Sequence, residues 1–204
     1  MSAVRDDMLG ASVTEFLDGL AARTPTPGGG SVAALAGALF CAMARMVVAY
    51  SKSDAGRVSV FADRLEKADK MLRTLIAEDI AAYEALSAAS REAKKDPAAA
   101  DRKQQALIAA SLVPMEMAAT ATTALATMDE FKSMAGRHLL SDLGVAAVIG
   151  RACVQAAAYS VRVNAIAMAE ADHARQMMAE TERLIARATE LCTSVEAFVA
   201  QALK

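Results

Sequence analysis

At 204 residues, with a formal net charge of −2, 55% hydrophobic and 4% aromatic residues, the chain is long enough for one domain with a real core. The near-balanced charge leaves no electrostatic footprint for nucleic acid or for an acidic membrane surface. The apolar content is mainly Ala, Leu, Val and Met, strand formers are scarce and tryptophan is absent, so the expected class is all-α.

The N-terminal MSAVRDDMLG has no apolar core of the kind a signal peptide needs, and a cytoplasmic protein is expected. Ser12-Val-Thr-Glu15 is a capping box that opens a first helix with Phe16, Leu17 and Leu20 on its apolar face. The stretch TPTPGGGS, Thr24 to Ser31, interrupts it, and a second helix follows from about Gly30 to Lys52. Small residues at Ala33, Gly37 and Ala44 let a neighbouring helix come close. This run approaches membrane-span length, yet it contains Arg45 and is mostly Ala and Gly, which reads as a buried bundle helix.

A third helix runs from about Gly56 to Arg91. Asp63/Lys67, Glu66/Lys70 and Asp69/Arg73 are spaced i,i+4 in acid-first order, which marks a solvated face. Glu92 to Pro97 is a linker, because Pro97 disfavours a helical Asp96. A fourth helix spans about Ala98 to Met134, and Pro114 should kink or break it. Gly136 ends it, Ser141 or Asp142 can cap a fifth that continues to about Glu170, and the sixth runs from Asp172 to the C-terminus. One domain over 1–204, an up-and-down bundle of long antiparallel helices, is expected. The second, fourth and fifth helices are apolar nearly all round, so a dimeric state that buries the surplus is expected too.

Chemistry is sought where polar residues interrupt apolar helices. Asp79 and Tyr83 lie one turn apart on the third helix, and a carboxylate hydrogen-bonded to tyrosine is the plain reading. On the fifth helix Asp142 and Ser160 are eighteen positions apart, five turns, with Asn164 about 40° round the same face. That separation is about 27 Å, so one subunit cannot bring all three to a small ligand, whereas a two-fold dimer pairing opposite helix ends can. Arg151, Gln155, Tyr159 and Arg162 form a second polar stripe, read as a solvated or interface face. Cys41, Cys153 and Cys192 show no metal or redox spacing and read as buried thiols. Glu170-Ala-Asp-His173 has the ExxH spacing of di-iron bundles but no second copy, so no metal is expected. The glycine run lacks the GK[ST] of a P-loop and follows no strand; it offers either a hinge or exposed N–H groups at a helix start.

Four segments together carry a resemblance: PTPGGGSVAALAGAL (Pro25 to Leu39), EDIAAY (Glu78 to Tyr83), SDLGVAAVIGRA (Ser141 to Ala152) and SVRVN (Ser160 to Asn164). In their order and separation they resemble the formiminotetrahydrofolate cyclodeaminase / methenyltetrahydrofolate cyclohydrolase family, from Phe16 to about Ala167. The resemblance implies a dimeric helical bundle acting on folate one-carbon units. Cyclodeaminases close 5-formiminotetrahydrofolate to 5,10-methenyltetrahydrofolate with release of ammonia; cyclohydrolases add water to the methenyl carbon. It implies no metal and no cofactor beyond the tetrahydrofolate substrate. By motif, Asp79 and Asp142 are the catalytic or pterin-anchoring candidates. Pro27, Gly28, Gly29, Gly30, Ser31, Tyr83 and Asn164 would bind substrate, with Lys95 and Arg102 toward the folate carboxylate tail.

The chain departs from the family pattern in four places, one of them Lys94-Lys95, which lacks the usual preceding proline. SKSDAGR (Ser51 to Arg57) stands where a lysine-rich segment is usual, leaving Lys52 and Arg57 as its bases. Gly136-Arg-His138 replaces an asparagine-containing segment, and Ser160 replaces the first Asn of NVxIN. A rival expectation follows: a non-catalytic helical dimer of the same fold that binds a small ligand or a protein partner.

Overall fold

The computed structural model describes residues 10–51 and 55–204; the N-terminal stretch read for a signal peptide, up to residue 9, and Lys52 lie outside the described residues, as does the side chain of Arg57. Among the described residues, six α-helices follow one another: α1 (Val13–Ala21), α2 (Gly29–Tyr50), α3 (Ala55–Ala93), α4 (Ala100–Phe131), α5 (Leu140–Ile166) and α6 (Ala171–Ala202). Short connections send them alternately up and down. α2 packs on α3 and α5, α4 packs on the same two, and the four close a ring around the core; α6 lies against α4 and α5. Phe40, Leu72, Met117, Leu125, Phe131 and Leu143 are fully buried inside it.

The expected capping box forms. Glu15 N–H donates to Ser12 Oγ at 3.2 Å and Ser12 N–H donates to Glu15 Oε2 at 2.8 Å. Small residues on α2 are used as expected: a Cβ added at Gly37 would lie 2.8 Å from Leu72 Cδ2 and 2.9 Å from Cys153 Sγ. α2, the Pro97–Met134 stretch and the Arg137–Ile166 stretch are long and apolar enough to cross a membrane, and about half of each apolar window is buried in the bundle. Cys41, Cys153 and Cys192 are buried free thiols; burial pushes Cys153 up to about 12 and Cys192 up to about 11.

Three local expectations need correction. Asp69 is not on a solvated face: its side chain is 3% exposed, with Arg73 Nε at 2.8 Å and Arg45 Nη1 of α2 at 2.6 Å. It falls on the Leu65–Leu72–Ile76 stripe that meets α2, and the acid-first spacing alone says nothing about which face it occupies. α4 also runs unbroken through Pro114, so the proline does not break it. Finally, α5 is not capped by Ser141 or Asp142. It starts at Leu140 straight out of a 3-10 turn, Arg137–Leu139, whose Arg137 carbonyl accepts the Leu140 N–H. Asp142 therefore sits within the first turn.

Candidate functional site

The start of a helix leaves N–H groups without intrahelical partners, and the N-cap of α2 is Gly28, which has no side chain to satisfy them. α3 supplies the missing acceptor. Ser31 Oγ donates to Asp79 Oδ2 at 3.2 Å, and the Ser31 backbone N–H donates to the same carboxyl. Asp79 thus caps a helix other than its own, where the helix dipole favours a negative group. Its partner is Ser31 rather than Tyr83.

This contact explains one of the three glycines. A Cβ on Gly30 would stand 1.9 Å from Asp79 Oδ1, so no larger residue leaves that carboxyl in place. Gly28 and Gly29 have room for a Cβ; both line the cavity that Asp79 faces.

That cavity has a volume of about 360 Å³, within the usual range of small-molecule sites. Pro25, Thr26 and Gly28 to Gly30 form one wall, and Asp79, Ala82, Tyr83 and Leu86 of α3 a second. Ala110 of α4 and Tyr159, Ser160, Val163 and Asn164 of α5 complete it. Burial pushes the Asp79 carboxyl above its ordinary range, and the two Ser31 hydrogen bonds pull it part of the way back. Asn164 Nδ2 donates to the Ala110 carbonyl at 3.2 Å. Thr26 is 5% exposed and its Oγ1 is buried without a hydrogen-bond partner.

The structure therefore gathers Gly28, Gly29, Gly30, Asp79, Tyr83 and Asn164 around one space. Pro27 is buried in the loop and Ser31 beneath it, where Ser31 holds Asp79. Lys95 is exposed in the turn after α3; Arg102 pairs with Glu92 at 2.5 Å, and neither lines the cavity. Asp142 is at the opposite end of α5, eighteen residues and about 27 Å of helix from Ser160. Leu86 and Ala110 were not picked out by sequence reasoning, since no motif covers them. Thr26 hides inside the motif that was read for its glycines. Tyr159 was assigned to the outer polar stripe, where Arg162 does stack over its ring at 5.7 Å.

The family model described as formiminotransferase-cyclodeaminase matches residues 12–183, a span that includes every wall of this cavity. The chain belongs to that family. Methenyltetrahydrofolate cyclohydrolase of Methylorubrum extorquens is 33% identical over 187 residues, covering 87% of this chain and 90% of that protein. Formimidoyltransferase-cyclodeaminase of Rattus norvegicus is 31% identical over 173 residues; the match covers 80% of this chain but 32% of the rat protein. The crystal structure of formiminotetrahydrofolate cyclodeaminase from Thermotoga maritima superposes with a TM-score of 0.86 at 25% identity, over 96% of this chain and 98% of that one.

Proposed function

We propose that this chain is a cytoplasmic folate one-carbon enzyme that works on the carbon between N5 and N10 of tetrahydrofolate. Methenyltetrahydrofolate cyclohydrolase is the first reading, supported by the relative that matches over nearly its whole length. Formiminotetrahydrofolate cyclodeaminase is the second, favoured by the structural likeness. One observation carries both: a carboxyl with raised affinity for protons, Asp79, fixed on the wall of a cavity at a helix start.

In the cyclohydrolase direction water adds to the methenyl carbon. The Asp79 carboxylate takes a proton from that water as the C–O bond forms. The C–N5 bond then breaks as the adduct's hydroxyl becomes the formyl carbonyl, its proton passing to N5, and 10-formyltetrahydrofolate leaves while Asp79 gives its proton to solvent. In the cyclodeaminase direction N10 attacks the carbon of the protonated formimino group, its proton passes to that NH2 group, and the C–NH3 bond breaks to release ammonia and leave the methenyl cation. Each route consists of additions, eliminations and proton transfers with no net oxidation, so the proposal invokes no metal and no redox cofactor. A carboxyl moved toward neutrality serves such transfers better than an ordinary aspartate. Backbone N–H groups of Gly28 to Gly30 face polar acceptors of the ligand, and Tyr83 and Tyr159 present ring faces and hydroxyls.

Asp142 enters through a second copy. Val145, Val148, Tyr159, Val163 and Ile166 are exposed along one side of α5. Covering that side with a two-fold, antiparallel copy centred near Ala152 sets Asp142 of one copy opposite Arg162 of the other, beside Ser160 and Asn164. The homodimer thus completes the site with a second carboxylate.

The test is an assay with both substrates. Loss of the near-ultraviolet absorbance of 5,10-methenyltetrahydrofolate above the buffer rate supports the first reading. Ammonia release from 5-formiminotetrahydrofolate supports the second, and neither activity overturns both.

A further inference from the structure

Pro114 lies inside α4, fourteen residues past its start. In a regular helix the N–H of residue 114 would donate to the carbonyl of Ala110. Proline has no N–H, so that carbonyl loses its helical partner. Ala110 is 8% exposed and lines the cavity, and a buried carbonyl left unpaired is costly. The gap is filled from another helix: Asn164 Nδ2 of α5 reaches the Ala110 carbonyl at 3.2 Å. A carbonyl accepts only from the NH₂ end of a carboxamide, so this bond decides which way the Asn164 side chain faces. Its Oδ1 and its second N–H are the groups left for a ligand.

We infer that Pro114 is a positioning residue: by leaving the Ala110 carbonyl open it locks the Asn164 carboxamide, whose Oδ1 then accepts an N–H from the ring bound in the cavity. This deepens the folate reading and rests on it for the ligand, since the edge of a reduced pterin carries such N–H donors. The lock itself does not depend on that reading.

Pro114→Ala restores the helical N–H and releases Asn164. The expected protein melts at a higher temperature than wild type, because alanine favours a helix interior. It nonetheless binds 5,10-methenyltetrahydrofolate with a KM raised about tenfold, the loss of roughly one hydrogen bond, and with a smaller change in kcat. Asn164→Ala raises KM similarly, and adding Pro114→Ala to it changes nothing further. A residue that merely supports the fold would lose stability together with activity. The side-chain NH₂ pair of Asn164 in a nitrogen-correlated NMR spectrum reads the lock without any ligand: one proton exchange-protected in wild type, both exposed in Pro114→Ala. An unchanged Asn164 signal, a wild-type KM in Pro114→Ala, a lower melting temperature, or multiplying effects in the double variant overturn the inference. A protected Asn164 signal in a wild type that turns over neither folate substrate contradicts the proposed function and leaves the lock standing.

Discussion

Asp79 is held by opposing influences: burial in the bundle favours its neutral form, and the two donors of Ser31 favour the carboxylate. Burial prevails, so the folded carboxyl binds its proton more tightly than an unfolded one. Its contribution to stability is therefore fully present at low pH and fades as pH rises through the raised value. Activity runs the other way, because a base must be ionised. The acid limb of kcat/KM, measured across pH, should fall at a pH above the ordinary aspartate range; a limb at the ordinary range would remove Asp79 from the proton transfer. Gly30→Ala forces the carboxyl aside, since its Cβ would meet Oδ1 at 1.9 Å. That displacement should lower kcat/KM by about 10²-fold while circular dichroism stays helical. The family motif made Asp79 legible as a site residue. Its hold on Ser31 was not, because the two are 48 positions apart and meet only through the packing of α3 on the start of α2.

Helices show how far spacing and capping patterns reach. The six long segments, the capping box and the Pro97 turn follow from propensity and local hydrogen bonding, and α-helices duly form there. What failed depends on neighbours. Asp69 is buried because α2 brings Arg45 to it, and α5 starts early because a 3-10 turn feeds it. α4 survives Pro114 in a bundle where α5 supplies the donor that the helix lacks. The same dependence gives a prediction against propensity. Gly37→Ala adds a good helix former to α2, yet its Cβ would crowd Leu72 and Cys153. It should destabilise the protein by about 1–3 kcal/mol in urea unfolding, and an unchanged or higher midpoint would show that α3 and α5 can yield.

Across the whole molecule, the bundle gathers the start of α2, the middle of α3, Ala110 and the end of α5 around one cavity, and leaves Asp142 at the far end. The polar groups of one subunit are therefore divided between its two ends, and the proposed dimer pairs unlike ends. Variants damaged at opposite ends should complement each other. Asp79→Asn and Asp142→Asn are each expected to be inactive, while a reassembled equal mixture should recover about a quarter of wild-type activity, since half the dimers then carry one intact site. No recovery, with mixed dimers demonstrated, would mean that each subunit keeps its own Asp142. The cavity, made of pieces from four parts of the chain, was legible only as far as the family motifs went; Leu86 and Ala110, outside every motif, join it through packing alone. Most direct of all is the rate of disappearance of 5,10-methenyltetrahydrofolate, followed by its near-ultraviolet absorbance, with wild type and Asp79→Asn side by side. Wild type should exceed the buffer rate, whereas Asp79→Asn should lose about 10²-fold or more and melt no lower at neutral pH. An Asp79→Asn variant as active as wild type, or a wild type no faster than buffer that also releases no ammonia from 5-formiminotetrahydrofolate, would contradict the account.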